Sequence, residues 1–328
     1  MFSELGEPGE PWAHTEREHR LELNKRYNDK AEQIVGIRPL SETLPPIDSY
    51  FPATRRIGEV FGGEYVWYNG TEWLQGDIDT PQKLEARLDK IDKMDLRSFM
   101  LPADWEEQKK QKFEKYGTRP PSSHGIRGPV TLACSIFGIE NLIYLISDEP
   151  ELARRFSDTI ARVTIEMAEI TDAESGKEQF GFSFADDNCC MLNAEMYEFF
   201  ALPILERVFS RFCPEPHHGR YQHSDSEMGH LLPVLGRCGF HGVNFGPGVT
   251  IDKIRAHMPN TRIDGCIAPF TFMGSDREKL IAEAKRDCEM AKLYGKGVNL
   301  ATAGSINDGS SLENMRTVMW AICEYGRY

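Results

Sequence analysis

The sequence predicts an α/β fold, a (β/α)8 TIM barrel preceded by an irregular N-terminal extension. Three observations predict it. Six times after residue 125, a short β-rich run is followed by a helix-length amphipathic segment. The runs are 126–136 (IRGPVTLACSI), 181–187 (GFSFADD), 219–225 (GRYQHSD), 242–246 (GVNFG), 262–268 (RIDGCIA) and 297–306 (GVNLATAGSI). Strand-then-helix alternation builds a parallel sheet, and this many units in one chain suggest a closed barrel. The second observation is size: 328 residues suit one large α/β barrel, or two smaller domains, and with 40% of them hydrophobic a substantial core is within reach. The third is that several runs end in polar, ligand-type residues, at the strand ends where a barrel carries its active site. Those residues are Asp186, Asp187, His223, Asp225, Asn244 and Asn307.

Before the repeat, residues 14–33 read as a solvated helix, and the prolines of LPPIDSYFP (44–52) break any helix. EYVWYNGTEWLQG (64–76) reads as a hairpin, two aromatic-rich strands around an Asn-Gly turn. Residues 80–98 are charged and helical, and a loop rich in proline and glycine follows at 117–129. The first 120 residues are expected to supply two βα units and the barrel floor. The chain divides into an extension, 1–60, and a barrel domain, 61–328, with no further boundary. Within the repeat, 141–175 holds one or two helices, with DEPEL (148–152) as a turn and new helix start: acids and a proline at N1 suit a helix N-terminus. Pro203 predicts a kink or break in 194–212. Segments 228–239, 250–259, 276–295 and 311–326 supply the remaining helices, each with apolar residues at helical spacing.

Net charge is −13, from 38 basic and 51 acidic residues. Such a chain has no electrostatic reason to hold a nucleic-acid backbone or an anionic membrane, although a few arginines can bind an anion locally. No apolar run reaches 18 residues, and the first residues lack the basic and apolar regions of a secretory signal. The eight cysteines contain no CxxC pair. These features predict reduced thiols in a cytoplasmic protein.

Residues two apart on a strand face the same way, so His223 and Asp225 point together at a strand end. An imidazole beside a carboxylate is half of a metal site, an acid–base pair, or a hydrogen bond that fixes a loop. Asp186 and Asp187 also close a strand. Consecutive side chains alternate, so one of the two faces the mouth, to orient a substrate or share a proton; a helix cap is the other reading. Asn244, flanked by glycines, suits a ligand carbonyl or hydroxyl, or a loop. The small residues before Asn307 let backbone amides approach a ligand, or let strand and helix pack closely. Arg127 neutralises either a substrate carboxylate or a surface acid. Phosphate loops, a dinucleotide fingerprint and a GxSxG elbow are absent from the sequence.

FADDNCCMLNAEMYEFFALPILERVF resembles the uroporphyrinogen decarboxylase superfamily, in which a strand ending in acids leads to a helix of the pattern (S/N)-P/A-E-x-Y-x-x-F-x-x-P. HSDSEMGHLLPVLGRCGFHGVNFGP, RIDGCIAPF and ATAGSINDGSSLENMRTV are similar to the units that follow, over roughly 125–328. The resemblance implies a barrel with a deep cleft at the strand C-termini. It also implies one of two chemistries: cofactor-free decarboxylation of a tetrapyrrole, or methyl transfer involving a corrinoid or a thiol, usually with zinc. In the methyltransferases zinc is held by His-x-Cys and a second cysteine in the last strand–turn. Here His223 matches, Asp225 replaces the first thiolate, and Gly304 stands at the second. His223 with Asp225 is a harder donor set, for which Asp187 and Cys266 are candidates to complete the site. The decarboxylases' R-Q-A-G-R-Y grip has no counterpart, since Gly-Arg-Tyr occurs only at 219–221 and 326–328. A multiply anionic tetrapyrrole needs that grip.

The expectation is therefore an enzyme of the methyltransferase or O-demethylase kind, acting on a small methylated substrate with a corrinoid acceptor on a partner protein. Asp187, His223 and Asp225 are its catalytic residues, and His223 and Asp225 its metal ligands. Arg127, Asp186, Asn244 and Asn307 bind substrate. Zinc, a corrinoid held by the partner, or no cofactor all fit. The alternatives are a carboxy-lyase on the same barrel and a non-catalytic barrel that binds a small ligand. A homodimer fits the apolar C-terminal helix, which equally serves to close the barrel.

Overall fold

The computed structural model describes residues 1–10, 12–44, 51 and 54–327. The helix-breaking segment expected at 44–52 lies for the most part outside them. The first long helix, Arg17–Val35, ends on Gly36 in the left-handed conformation. Strands β1 (Glu64–Tyr68) and β2 (Thr71–Gln75) form the expected antiparallel hairpin. Its turn has positive φ at both Asn69 (51°) and Gly70 (74°), the conformation that matches the twist of a two-residue hairpin.

The barrel wall is a parallel sheet in the order β3 (Gly125–Arg127), β4 (Phe182–Ala185), β5 (Arg220–Ser224), β6 (Gly242–Phe245), β7 (Arg262–Ile263). Parallel bridges Asp264–Asn299 and Ile267–Thr302 carry it one position further. Neighbours in the wall are joined through helices, as parallel strands require. Register sets the site. Arg127, Ala185, His223 and Asn244 stand opposite one another in a single row. Paired residues of parallel strands face the same side. The adjacent row, Ile126, Phe184, Gln222, Val243 and Ile263, therefore faces the other way. There Phe184, Val243 and Ile263 join one core with Phe156, Phe200, Phe209 and Ile254 of the surrounding helices. The row of Arg127 and His223 thus faces the barrel interior.

The helices follow the expected order, with Pro150–Ser175 the longest. Pro203 breaks 194–212 into Ala194–Phe200 and Leu202–Phe212. Three expectations need correction. The run 126–136 is strand only as far as Arg127; Pro129 opens a helix, Pro129–Phe137. Proline is preorganised for N1, and Val130, Leu132, Ala133, Ile136 and Phe137 are all buried, so no period separated strand from helix there. The run 297–306 makes isolated bridges and no continuous strand. Its small residues (Gly297, Ala301, Ala303, Gly304) offer little side chain to pack on a pleated surface. Finally, the described residues before 125 contribute helices and the antiparallel hairpin, and no strand of the parallel wall. Among the described residues no single helix is long and apolar enough to cross a membrane, and all eight cysteines are free.

Candidate active site

β4 and β5 end side by side, and the polar residues just past their C-termini converge. Asp187 opens a short 3-10 turn, Asp187–Met191, that Thr131 steadies by accepting the Asn188 N–H at 3.0 Å. His223 is on β5 and Asp225 one residue beyond it. The Asp225 N–H donates to Asp187 Oδ1 at 3.1 Å, and His223 Nε2 lies 3.5 Å from the same oxygen. One donor atom from each of the three side chains lies within 4.8 Å of the others. All three remain accessible to solvent.

Asn244 fixes the imidazole. Its Nδ2 donates to the carbonyls of Asp264 and of Thr302 (3.1 Å), so its Oδ1 must face His223 Nδ1, 2.8 Å away. An amide oxygen accepts only, so Nδ1 carries a proton, and whenever the ring is neutral it is the Nε2 lone pair that points toward Asp187. That is how a metal-binding or proton-accepting histidine is held. Burial, and then the neighbouring Asp187 carboxylate, push the Asp225 pKa up; positive charge on a protonated His223 acts the other way. A divalent cation among the three groups would relieve this repulsion. One imidazole nitrogen and two carboxylates make a fitting set for zinc or a harder divalent ion. Gly304 borders the cluster: a Cβ there would lie 3.3 Å from Asp225 Oδ2. The position matched to the superfamily's second thiolate thus adjoins Asp225, with no side chain to offer.

Of the other expected site residues, Asn244 touches the cluster through His223 and the rest lie elsewhere. Asp186 is fully buried behind the wall, where no substrate reaches it. Its Oδ1 accepts the Thr131 N–H at 2.8 Å, near the start of helix Pro129–Phe137, and burial raises its pKa to about 6. The pleat turned Asp187 to the mouth and its neighbour to the core. The polar atoms of Asn244 are engaged by His223 and two carbonyls. Asn307 is half-buried in the loop before the last helix and is not among the converging groups. Cys266 is buried, and its N–H donates to Asp287. It does not complete the cluster; Asp187 does.

Arg127 faces the interior two strands from His223 and lines a cavity of about 310 Å³ with Arg55, Arg56, Tyr65 and Glu72. The last four escaped the sequence reading because they lie in the N-terminal third, where no strand repeat marks which residues face inward. The Arg-Arg doublet at 55–56 was the available signal.

The profile of the family described as uroporphyrinogen decarboxylase (URO-D) matches residues 80–325. Among solved structures the chain is similar to a methyltransferase from Methanosarcina mazei, with a TM-score of 0.58 and 18% sequence identity over 99% of this chain and 97% of that one. At that identity the likeness speaks for the fold. Among curated proteins none matches the chain by sequence. With the family profile spanning most of the sequence, the chain belongs to the uroporphyrinogen decarboxylase family.

Proposed function

We propose that the protein is a methyltransferase or O-demethylase-type enzyme. It would take a methyl group from a small methylated substrate and pass it to a corrinoid carried by a partner protein. The observation that carries this reading is the Asp187–His223–Asp225 cluster at the strand C-termini, with the Nε2 lone pair of His223 aimed into it. The structural likeness to a methyltransferase fits the same reading.

A divalent ion bound by the three residues would supply a Lewis acid for the heteroatom that bears the methyl group. The chain's own residues do the rest. Asn244 holds His223 in one tautomer. Asp187 accepts the Asp225 N–H and so fixes the loop after β5. With no ion bound, Asp225, whose proton affinity is raised, would instead be suited to hand a proton to the departing oxygen, since an unassisted alkoxide leaves badly. The arginine-lined cavity favours decarboxylation as the second reading, with Arg127 holding the carboxylate.

The test is metal analysis of the purified protein together with His223→Ala. We expect about one divalent ion per chain, lost in the variant. Methyl transfer from methoxylated compounds to cob(I)alamin should fall at least 100-fold. Unchanged turnover and unchanged ligand affinity in His223→Ala would dismiss the proposal. Release of carbon dioxide without methyl transfer would favour the second reading.

A further inference from the structure

Gly125, Ile126 and Arg127 all line the 310 Å³ cavity. Consecutive residues of a strand point to opposite faces, so three in a row border one space only where the strand presents its edge. β4 takes the other edge of β3. The cavity therefore runs along the free edge of β3, closed by the segment 54–57, the hairpin and helix Pro150–Ser175.

Its charge runs against that of the molecule. The chain carries −13, yet the cavity lining holds three guanidinium groups and one carboxylate, Glu72. Arg56 uses up that carboxylate: both its terminal nitrogens donate to Glu72, one at 2.8 Å, and its guanidinium stacks 3.3 Å from the Tyr65 ring centre. Arg55 lies over Phe99 at 4.5 Å. Arg127 makes one long bond, 3.4 Å, to the Glu72 carbonyl. Among the described residues neither Arg55 nor Arg127 forms an ion pair. Two positive charges are thus in excess over a lining otherwise rich in apolar groups, including Ile57, Met100, Met167 and Phe182. The volume is at the small end for organic ligands. Arg127 shares its row with His223, two strands away, roughly 10 Å at ~4.8 Å per strand.

We propose that this cavity binds the carboxylate end of a small apolar-bodied acid, with Arg127 and Arg55 as its charge partners. Guanidinium–carboxylate hydrogen bonds in a partly enclosed, apolar site are strong and directional. Resting on the methyl-transfer reading, the inference also names the substrate class: a methylated monocarboxylic acid anchored at β3 with its methyl group toward Asp187, His223 and Asp225. The binding itself does not depend on that reaction.

Calorimetric titration of the full chain with benzoate, phenylacetate and the neutral isostere benzamide tests it. We expect saturable binding of at least one acid, at least 10-fold tighter than the amide. Arg127→Gln and Arg55→Gln should each weaken the acid at least 5-fold with an unchanged melting point, and His223→Ala should leave acid affinity intact. If Arg127→Gln does not fold, Arg55→Gln decides. Equal binding of acid and amide, no saturable acid binding, or full affinity in the folded arginine variants overturns the inference. Normal acid binding with no methyl transfer by the wild-type chain removes the proposed reaction and leaves the anion site standing. Methyl transfer lost in His223→Ala without any acid binding does the reverse.

Discussion

Asn244 determines which nitrogen of His223 is available for chemistry. Its amide makes two donor bonds, to the carbonyls of Asp264 and Thr302, which leave the oxygen as the atom that meets Nδ1. Without it the ring is free to rotate and to change tautomer, and the lone pair at Nε2 is no longer assured. Partners of this kind typically account for 10–100-fold in metal affinity. Asn244→Ala should therefore bind zinc 10–100-fold more weakly in competition with a chelator, while Asn244→Gly would confound the result with backbone freedom. Equal affinity in wild type and Asn244→Ala would show that Asn244 is packing alone. Two features of this site were legible in the sequence: His223 and Asp225 face together by strand periodicity, and one of Asp186 and Asp187 faces the mouth. Periodicity carries no information about neighbours across the sheet. The register that sets Asn244 against His223 depends on β5–β6 pairing, which no local pattern encodes.

At the scale of elements, the junction of β3 and the following helix rests on the residue just past the end of β4. Asp186 reaches under Gly128, where a Cβ would stand 2.1 Å from the Asp186 Cβ, and accepts the Thr131 N–H. Glycine at 128 is thus required for space, and the acid takes one of the orphan donors of the helix start. The strand-to-helix change within 126–136 is hard to see in the sequence because the cap is supplied from residue 186, far along the chain; locally the Gly-Pro pair at 128–129 marks it. Burial gives this cap a pH dependence. The folded-state pKa, about 6, lies above the ordinary 3.8, so the native state holds this proton more tightly than the unfolded chain. The group's favourable contribution is complete below pH ~4 and is lost as pH rises through 6, an effect of up to about 3 kcal/mol. Asp186→Asn keeps an acceptor for Thr131 and removes the ionisation. Urea midpoints at pH 4.5 and 7 should accordingly fall more with rising pH in wild type than in Asp186→Asn, and equal slopes would show that this carboxyl does not ionise in the range.

On the scale of the whole molecule, the first helices belong to the end of the barrel. The sequence sets 1–60 apart as an extension because it is charged and lacks the strand repeat, and the family match begins at residue 80. Yet Ser3 Oγ accepts the Gly309 N–H at 3.0 Å, and Glu4 accepts the Leu312 N–H at 3.1 Å, at the start of the last helix, Leu312–Tyr325. A carboxylate placed there satisfies an orphan donor and favours the positive end of the helix dipole. Helix Arg17–Val35 then lays Ala31 and Val35 against Leu312, with Tyr27, Ile34, Met315 and Met319 around them. The composition of 17–35 concealed this, since its apolar residues form a narrow stripe on an otherwise charged helix. The last helix in turn packs on Arg277–Leu293 and so borders the loop that carries Gly304 and Asn307. Loss of the N-terminal segment should therefore loosen the site's own rim. Removing residues 1–36 exposes Leu312 and deletes the Glu4 cap, together several kcal/mol. The shortened chain should melt roughly 5–10 °C lower, and amide exchange should accelerate first at 304–325. An unchanged melting point and unchanged protection there would mean that the N-terminal helices rest on the barrel without supporting it.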